Sequence, residues 1–136
     1  DLVGKPIELA GRTLSGDEFQ WAKYRGKVVL VDFWATWCGP CIREMPNVRA
    51  LHEKYAARGF DIVGVSLDQD LDALAEFNNE HELPWETLAG EETQELAKRY
   101  GVRGIPTMML IDKEGKVVAV AHRVDELASK LEQLLK

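Results

Sequence analysis

The chain has 136 residues, of which 46% are hydrophobic and 29% charged, with a net charge of −6. That is the size and balance of one globular domain, 1–136, with a real core. The acidic balance disfavours nucleic acid and anionic membrane surfaces as partners, and no apolar run is long enough to span a bilayer.

In chain order, short extended pieces are predicted at Ile7–Leu9 and Arg12–Leu14, with Gly11 near the turn. Phe19–Tyr24 reads as a short helical or irregular link. Lys27–Ala35, KVVLVDFWA, carries apolar residues on both faces, which predicts a central strand covered on both sides. A helix follows to about Arg58, with Ile42, Met45, Val48 and Leu51 as its buried stripe and Gly59 as its stop. Phe60–Leu67 is a second buried strand. Leu71–Glu80 has helical spacing, Trp85–Leu88 is a short extended piece, and Glu91–Tyr100 is a helix ended by Gly101. Pro106–Asp112 and Lys116–Ala121, joined by Lys113–Gly115, form a predicted β-hairpin. An amphipathic helix from Val124 to Leu135 closes the chain. Alternating strands and helices followed by a hairpin predict an α/β fold with a mixed central sheet flanked by helices.

Both cysteines lie in WCGPC, Trp37–Cys41, where a strand runs in and a helix runs out. Three readings of such a pair compete: a staple, half of a metal site, or a redox couple. A disulfide closing so short a loop constrains the unfolded chain little, and a chain of this size does not need one. A zinc site needs four ligands, and His52, His81 and His122 do not stand at ligand spacing from the cysteines. The redox reading fits the position. Pro40 suits the first helical turn, which puts Cys38 at the helix N-terminus, where unpaired N–H groups and the helix dipole favour a thiolate. Cys38 is the expected nucleophile. Cys41, three residues on, is the expected resolving thiol.

Asp32 lies inside the buried strand, six residues before Cys38. Burial should raise its pKa. It is either a carboxylate satisfied by local hydrogen bonds or a proton shuttle for Cys41, and its place on the strand feeding the cysteines favours the shuttle. Glu44, three residues after Cys41, fits an active-site carboxylate and a solvated helix residue almost equally. The three histidines read as solvated or capping residues. Gly104–Thr107, GIPT, predicts a tight turn into a strand that is compatible with a cis peptide, and the pattern alone does not place it beside the cysteines.

VDFWATWCGPC, GIPT and the closing hairpin plus helix together resemble thioredoxin. The N-terminal extended segment, CIREMP after the cysteines, a helix-containing insert after GVSLD, and GIPTMMLIDKEGKVV resemble its TlpA/ResA-like branch. The resemblance covers almost the whole chain. It implies a thioredoxin fold with a central insert. It also implies an exposed nucleophile at Cys38 and a resolving Cys41, Asp32 as the buried acid, and Glu44 as the acidic position of C-x-x-E-x-P. Pro106 would be a cis-proline against the disulfide, Ile105 would offer backbone to an extended substrate strand, and Trp37 would form part of an apolar rim around Gly39 and Pro40. Two departures stand out. Thioredoxin pairs its buried acid with a lysine on the neighbouring strand, and DIVGVSLD has none. HRVDEL lacks the glycine common at the start of the last helix.

The implied activity is thiol–disulfide exchange, most naturally reduction of protein disulfides. No cofactor is expected beyond the redox-active Cys38–Cys41 disulfide, and no metal. The expected partners are disulfide-containing proteins and an upstream thiol electron donor. The chain starts at Asp1 without an initiating Met, as a processed form or a cloned fragment would, and no secretory leader is visible. The resemblance favours an extracytoplasmic location, periplasmic or membrane-anchored, with the cytoplasm as the alternative and an N-terminal anchor as the only expected tie to a membrane. A non-catalytic module that binds a metal or a partner is the rival from another class. A thiol peroxidase ranks lower, because Thr36 stands in WATWC and not in Pro-x-x-x-Thr-x-x-Cys.

Overall fold

The computed structural model describes all residues, Asp1–Lys136. The elements in order are β1 (Arg12–Thr13), β2 (Val28–Trp34), α1 (Gly39–Tyr55), β3 (Phe60–Ser66), α2 (Leu71–His81), β4 (Glu86–Ala89), α3 (Glu91–Arg99), β5 (Thr107–Ile111), β6 (Val117–Ala121) and α4 (Ala128–Leu134). Six strands form one mixed sheet in the order β1-β4-β3-β2-β5-β6. β2 and β3 run parallel, as do β3 and β4, while β5 is antiparallel to both β2 and β6.

β2 is the axis of the molecule, and every one of its residues is buried. Its alternation sorts two cores. Val28, Leu30 and Trp34 face α1, α2 and α4, and Val29, Val31 and Phe33 face α3 and the N-terminal segment. Period-2 alternation therefore turns Asp32 to the side of α1. The uninterrupted apolar run in the sequence is the signature of a strand covered twice.

α1 has a capped start and a defined stop. Cys38 is its N-cap in extended backbone, and Pro40 sits in its first turn. The helix tightens into a 3₁₀ turn at Ala56–Arg58, and Gly59 at φ 83° ends it in the left-handed region that favours glycine.

Two predicted boundaries shift. Ile7–Leu9 forms no strand. Pairing there is limited to a bridge from Pro6 to Lys116, while Gly4 N–H donates to Val117 O and Val117 N–H to Lys5 O. Pro6 has no N–H with which to extend the ladder. Ile7 and Leu9 are nonetheless buried under the sheet. The final helix also starts later than predicted. Glu126 Oε1 accepts from the N–H groups of His122 (3.0 Å) and Arg123 (3.1 Å), closing a 3₁₀ turn at Val124–Glu126 before α4 begins.

Candidate active site

The site forms where β2 ends. Ala35 O accepts from Cys38 N–H at 3.2 Å, making a tight turn that delivers Trp37 to solvent and Cys38 to the helix start. Trp37 is 69% exposed, by far the most exposed of the aromatic side chains here. Cys38 and Cys41 are joined as a disulfide with Cα atoms 5.2 Å apart. Cys38 Sγ accepts from Cys41 N–H at 3.2 Å, so a free donor of the first helical turn points at the sulfur.

The resemblance implies an exposed Cys38. In the disulfide, however, Cys38 is 5% exposed and Cys41 3%, with the loop before β5 reaching Cys38 Sγ through Ile105 O. The asymmetry between them lies in access. A groove of about 500 Å³ opens onto Cys38 between Trp37, Pro40, Leu67 and Ile105, and Cys41 does not line it.

The topology brings GIPT to the cysteines. β5 returns antiparallel beside β2, with Phe33 opposite Thr107, so Ile105 arrives next to Cys38. Cys38 Sγ lies 3.6 Å from Ile105 O, and the Ile105–Pro106 peptide is cis. Ile105 is outside β5, and its N–H and C=O join no backbone hydrogen bond. Gly39 begins the helix, and Arg43 Nη1 lies 3.3 Å from where its Cβ would stand.

Asp32 is 3% exposed and its Oδ1 has no hydrogen-bond partner. Burial, with the Glu44 charge second, pushes its pKa up to about 7. The residue across the parallel ladder, where the resemblance would place a lysine, is Gly64. A Cβ there would stand 3.1 Å from Trp34 Nε1, 3.3 Å from Thr87 Oγ1 and 3.4 Å from Trp85 Nε1, so indoles occupy that space. No cation can balance Asp32 from that position.

Glu44 is held, not free in solvent. Its Oε1 accepts from Val124 N–H at 2.7 Å, and its Oε2 from Asn47 Nδ2 at 3.1 Å. It thereby ties α1 to the turn before α4 and keeps its charge close enough to raise Asp32.

Sequence reasoning missed two groups. His122 Nδ1 lies 2.9 Å from Pro106 O, linking the end of β6 to the proline loop. Asp68 is buried and accepts from Thr36 N–H (3.1 Å), Thr36 Oγ1 (2.6 Å) and Ser66 Oγ (2.7 Å). It thus anchors the turn that carries Trp37 and Cys38. The only signal was a carboxylate two residues after a buried serine at a strand end. A second groove, of about 560 Å³, lies at the other end of β2 among Ile7, Trp21 and Lys113, far along the strand from either sulfur.

Three comparisons bear on this geometry. The Redoxin family model matches residues 3–135. The thiol–disulfide oxidoreductase ResA of Bacillus thuringiensis subsp. konkukian is 35% identical over 136 residues, covering all of this chain and 70% of that protein. ResA of Geobacillus thermodenitrificans is 38% identical over 104 residues, 76% of this chain and 59% of that one. Among solved structures, the thioredoxin domain of a thiol–disulfide oxidoreductase from Bacteroides vulgatus superposes with a TM-score of 0.89 at 28% identity, covering 98% of each chain. A thiol:disulfide interchange protein from Bacteroides sp. gives 0.86 at 29%, covering 98% of this chain and 90% of that one. Matched from end to end in both sequence and backbone, the chain belongs to the Redoxin family and, within it, to the ResA/TlpA-like thiol–disulfide oxidoreductases.

Proposed function

We propose that this oxidoreductase works as a reductant of protein disulfides through the Cys38/Cys41 dithiol. One observation carries the reading: Cys38 caps a helix with a backbone N–H aimed at its sulfur, at the floor of a groove where Ile105 offers unpaired backbone. An extended substrate segment pairs with Ile105 and lays its disulfide against Cys38.

In the first step the Cys38 thiolate attacks one substrate sulfur. The substrate S–S bond breaks, a mixed disulfide forms, and the leaving thiolate takes up a proton. In the second step Cys41 gives its proton to the Asp32 carboxylate and attacks Cys38 Sγ. The Cys38–Cys41 bond forms, and the second substrate thiol leaves once protonated. Two electrons and two protons pass from the dithiol to the substrate. An acid whose pKa is about 7 suits this task, because near neutral pH it both takes and returns a proton. Glu44 positions the site from the α4 side, and its charge raises Asp32, which makes the Asp32 carboxylate a stronger acceptor for the Cys41 proton. Trp37, Gly39 and Pro40 form the rim on which substrate rests.

An upstream thiol donor must then reduce Cys38–Cys41 again. We place the protein outside the cytoplasm, as its TlpA/ResA-like character implies, and a compartment reporter fused to the gene product tests this. No helix is long and apolar enough to cross a membrane. The test of the activity is insulin disulfide reduction with Cys38→Ser as control. Equal rates in the two proteins would overturn the reading, and stoichiometric metal in the reduced protein would favour a binding module instead. Cys41→Ser should trap the natural partner on Cys38 as a mixed disulfide.

A further inference from the structure

The mouth of the Cys38 groove carries the opposite sign of charge from the rest of the chain. The protein holds 23 acidic residues against 17 lysines and arginines. Yet no carboxylate lines the groove, and Arg103 stands on its wall. On the helix side Arg43 folds back over the first turn of α1, its Nη1 only 3.3 Å from where a Gly39 Cβ would sit. Neither arginine has an acidic partner. The ion pairs are Lys23–Glu86, Lys27–Asp61, Arg58–Glu132 and Arg123–Asp125. The carboxylates nearest in sequence to the groove are otherwise engaged. Asp32 is buried, Asp68 accepts from Thr36 and Ser66, Glu44 accepts from Val124 and Asn47, and exposed Asp70 caps α2, its Oδ1 accepting from the N–H groups of Asp72 and Ala73. The start of α1 adds its own partial positive charge.

We propose that this mouth selects disulfides flanked by acidic residues. The occupant is an extended segment whose apolar side chains rest on Trp37 and Ile105 and whose carboxylates meet Arg43 on one side of Cys38 and Arg103 on the other. This rests on the reading of the protein as a protein disulfide reductase. The net charge of −6 works against such a substrate at long range. At physiological salt that field is screened within about 8 Å, so contact belongs to the two arginines. Exposed ion pairs are individually weak, worth roughly two- to fivefold each, and two give about tenfold.

The experiment uses pre-reduced protein in single turnover against three peptides. These share one internal disulfide and carry Asp, Ser or Lys on both flanks. The Asp peptide should be reduced about tenfold faster than the Lys peptide at about 0.1 M salt, with the gap nearly closed at about 1 M. In the double variant Arg43→Glu, Arg103→Glu the order should invert. The readout is a ratio within one protein, so a general loss of activity cancels, and the salt series needs no variant at all. If all three peptides are reduced by the wild type without an Asp preference, the acidic-substrate inference falls and the reductase reading stands. If none is reduced although both thiols titrate, the reductase reading falls and takes the inference with it.

Discussion

Asp32, inside β2, and Asp68, two residues past the end of β3, are buried alike, each 3% exposed, but their surroundings are opposite. Asp68 accepts from the backbone and hydroxyl of Thr36 and from Ser66, so its oxygens are satisfied. Asp32 leaves Oδ1 bare, faces a glycine across the ladder, and is raised by burial and then by the Glu44 charge. Burial alone therefore does not decide what a carboxylate is for. Donors make Asp68 a fastener for the turn that carries Cys38, and their lack leaves Asp32 a carboxyl that titrates near 7.

The largest expected break in this contrast is Asp32→Asn. The folded pKa of Asp32, about 7, lies above its ordinary value of 3.8. Below pH 3.8 both folded and unfolded chains hold the proton, so nothing is lost. Between 3.8 and 7 only the unfolded chain releases it, and stability falls as pH rises. Above about 7 the penalty is complete. At ~1.4 kcal/mol per pH unit it amounts to about 4 kcal/mol. Denaturant melts of the oxidised protein should show Asp32→Asn more stable by that order at pH 8 and equal to wild type near pH 3. An equal gain at both pH values would contradict the assignment.

Asp68→Ala should move stability the other way. It strands Thr36 N–H and two hydroxyls, at a cost of about 3 kcal/mol. The same melts measure it, and a neutral or stabilised Asp68→Ala would erase the contrast. Next in size is the kinetic effect of Asp32→Asn. Loss of the proton acceptor should slow resolution of the mixed disulfide about a hundredfold, and the limb of the pH–rate profile near 7 should vanish. The smallest effect is that of Glu44→Gln. With the Glu44 charge removed, Asp32 should titrate lower by less than about one pH unit in an NMR titration of the oxidised protein. A rise would show that Glu44 acts on Asp32 in some other way.

Much of this was legible in the sequence. β2 and β3 announced themselves as unbroken apolar runs, because a strand covered on both faces must be apolar throughout. WCGPC announced a helix start, since Pro40 belongs in a first turn. Asp32 was visible as a misplaced charge in such a run. The contacts that tune the site were not legible. Those of His122 with Pro106, Asp68 with Thr36 and Glu44 with Val124 join residues 16, 32 and 80 positions apart. Each depends on which strand lies beside which, and local periodicity carries no such information. The lack of a lysine on the strand beside Asp32 is plain in DIVGVSLD, but that indoles fill its space follows only from packing.

A last consequence comes from the edges of the sheet. A protein that offers backbone to extended, partly unfolded chains risks zipping onto them wherever a strand lies open. Here β1 is two residues long, and β6 spends the outward N–H and C=O of Val117 on the N-terminal segment. Neither rim gives a client chain much length to grip. The place left for pairing is the free backbone at Ile105, beside the sulfur. If clients pair as proposed, they are admitted at the point of chemistry and find little length of strand to grip elsewhere on the sheet.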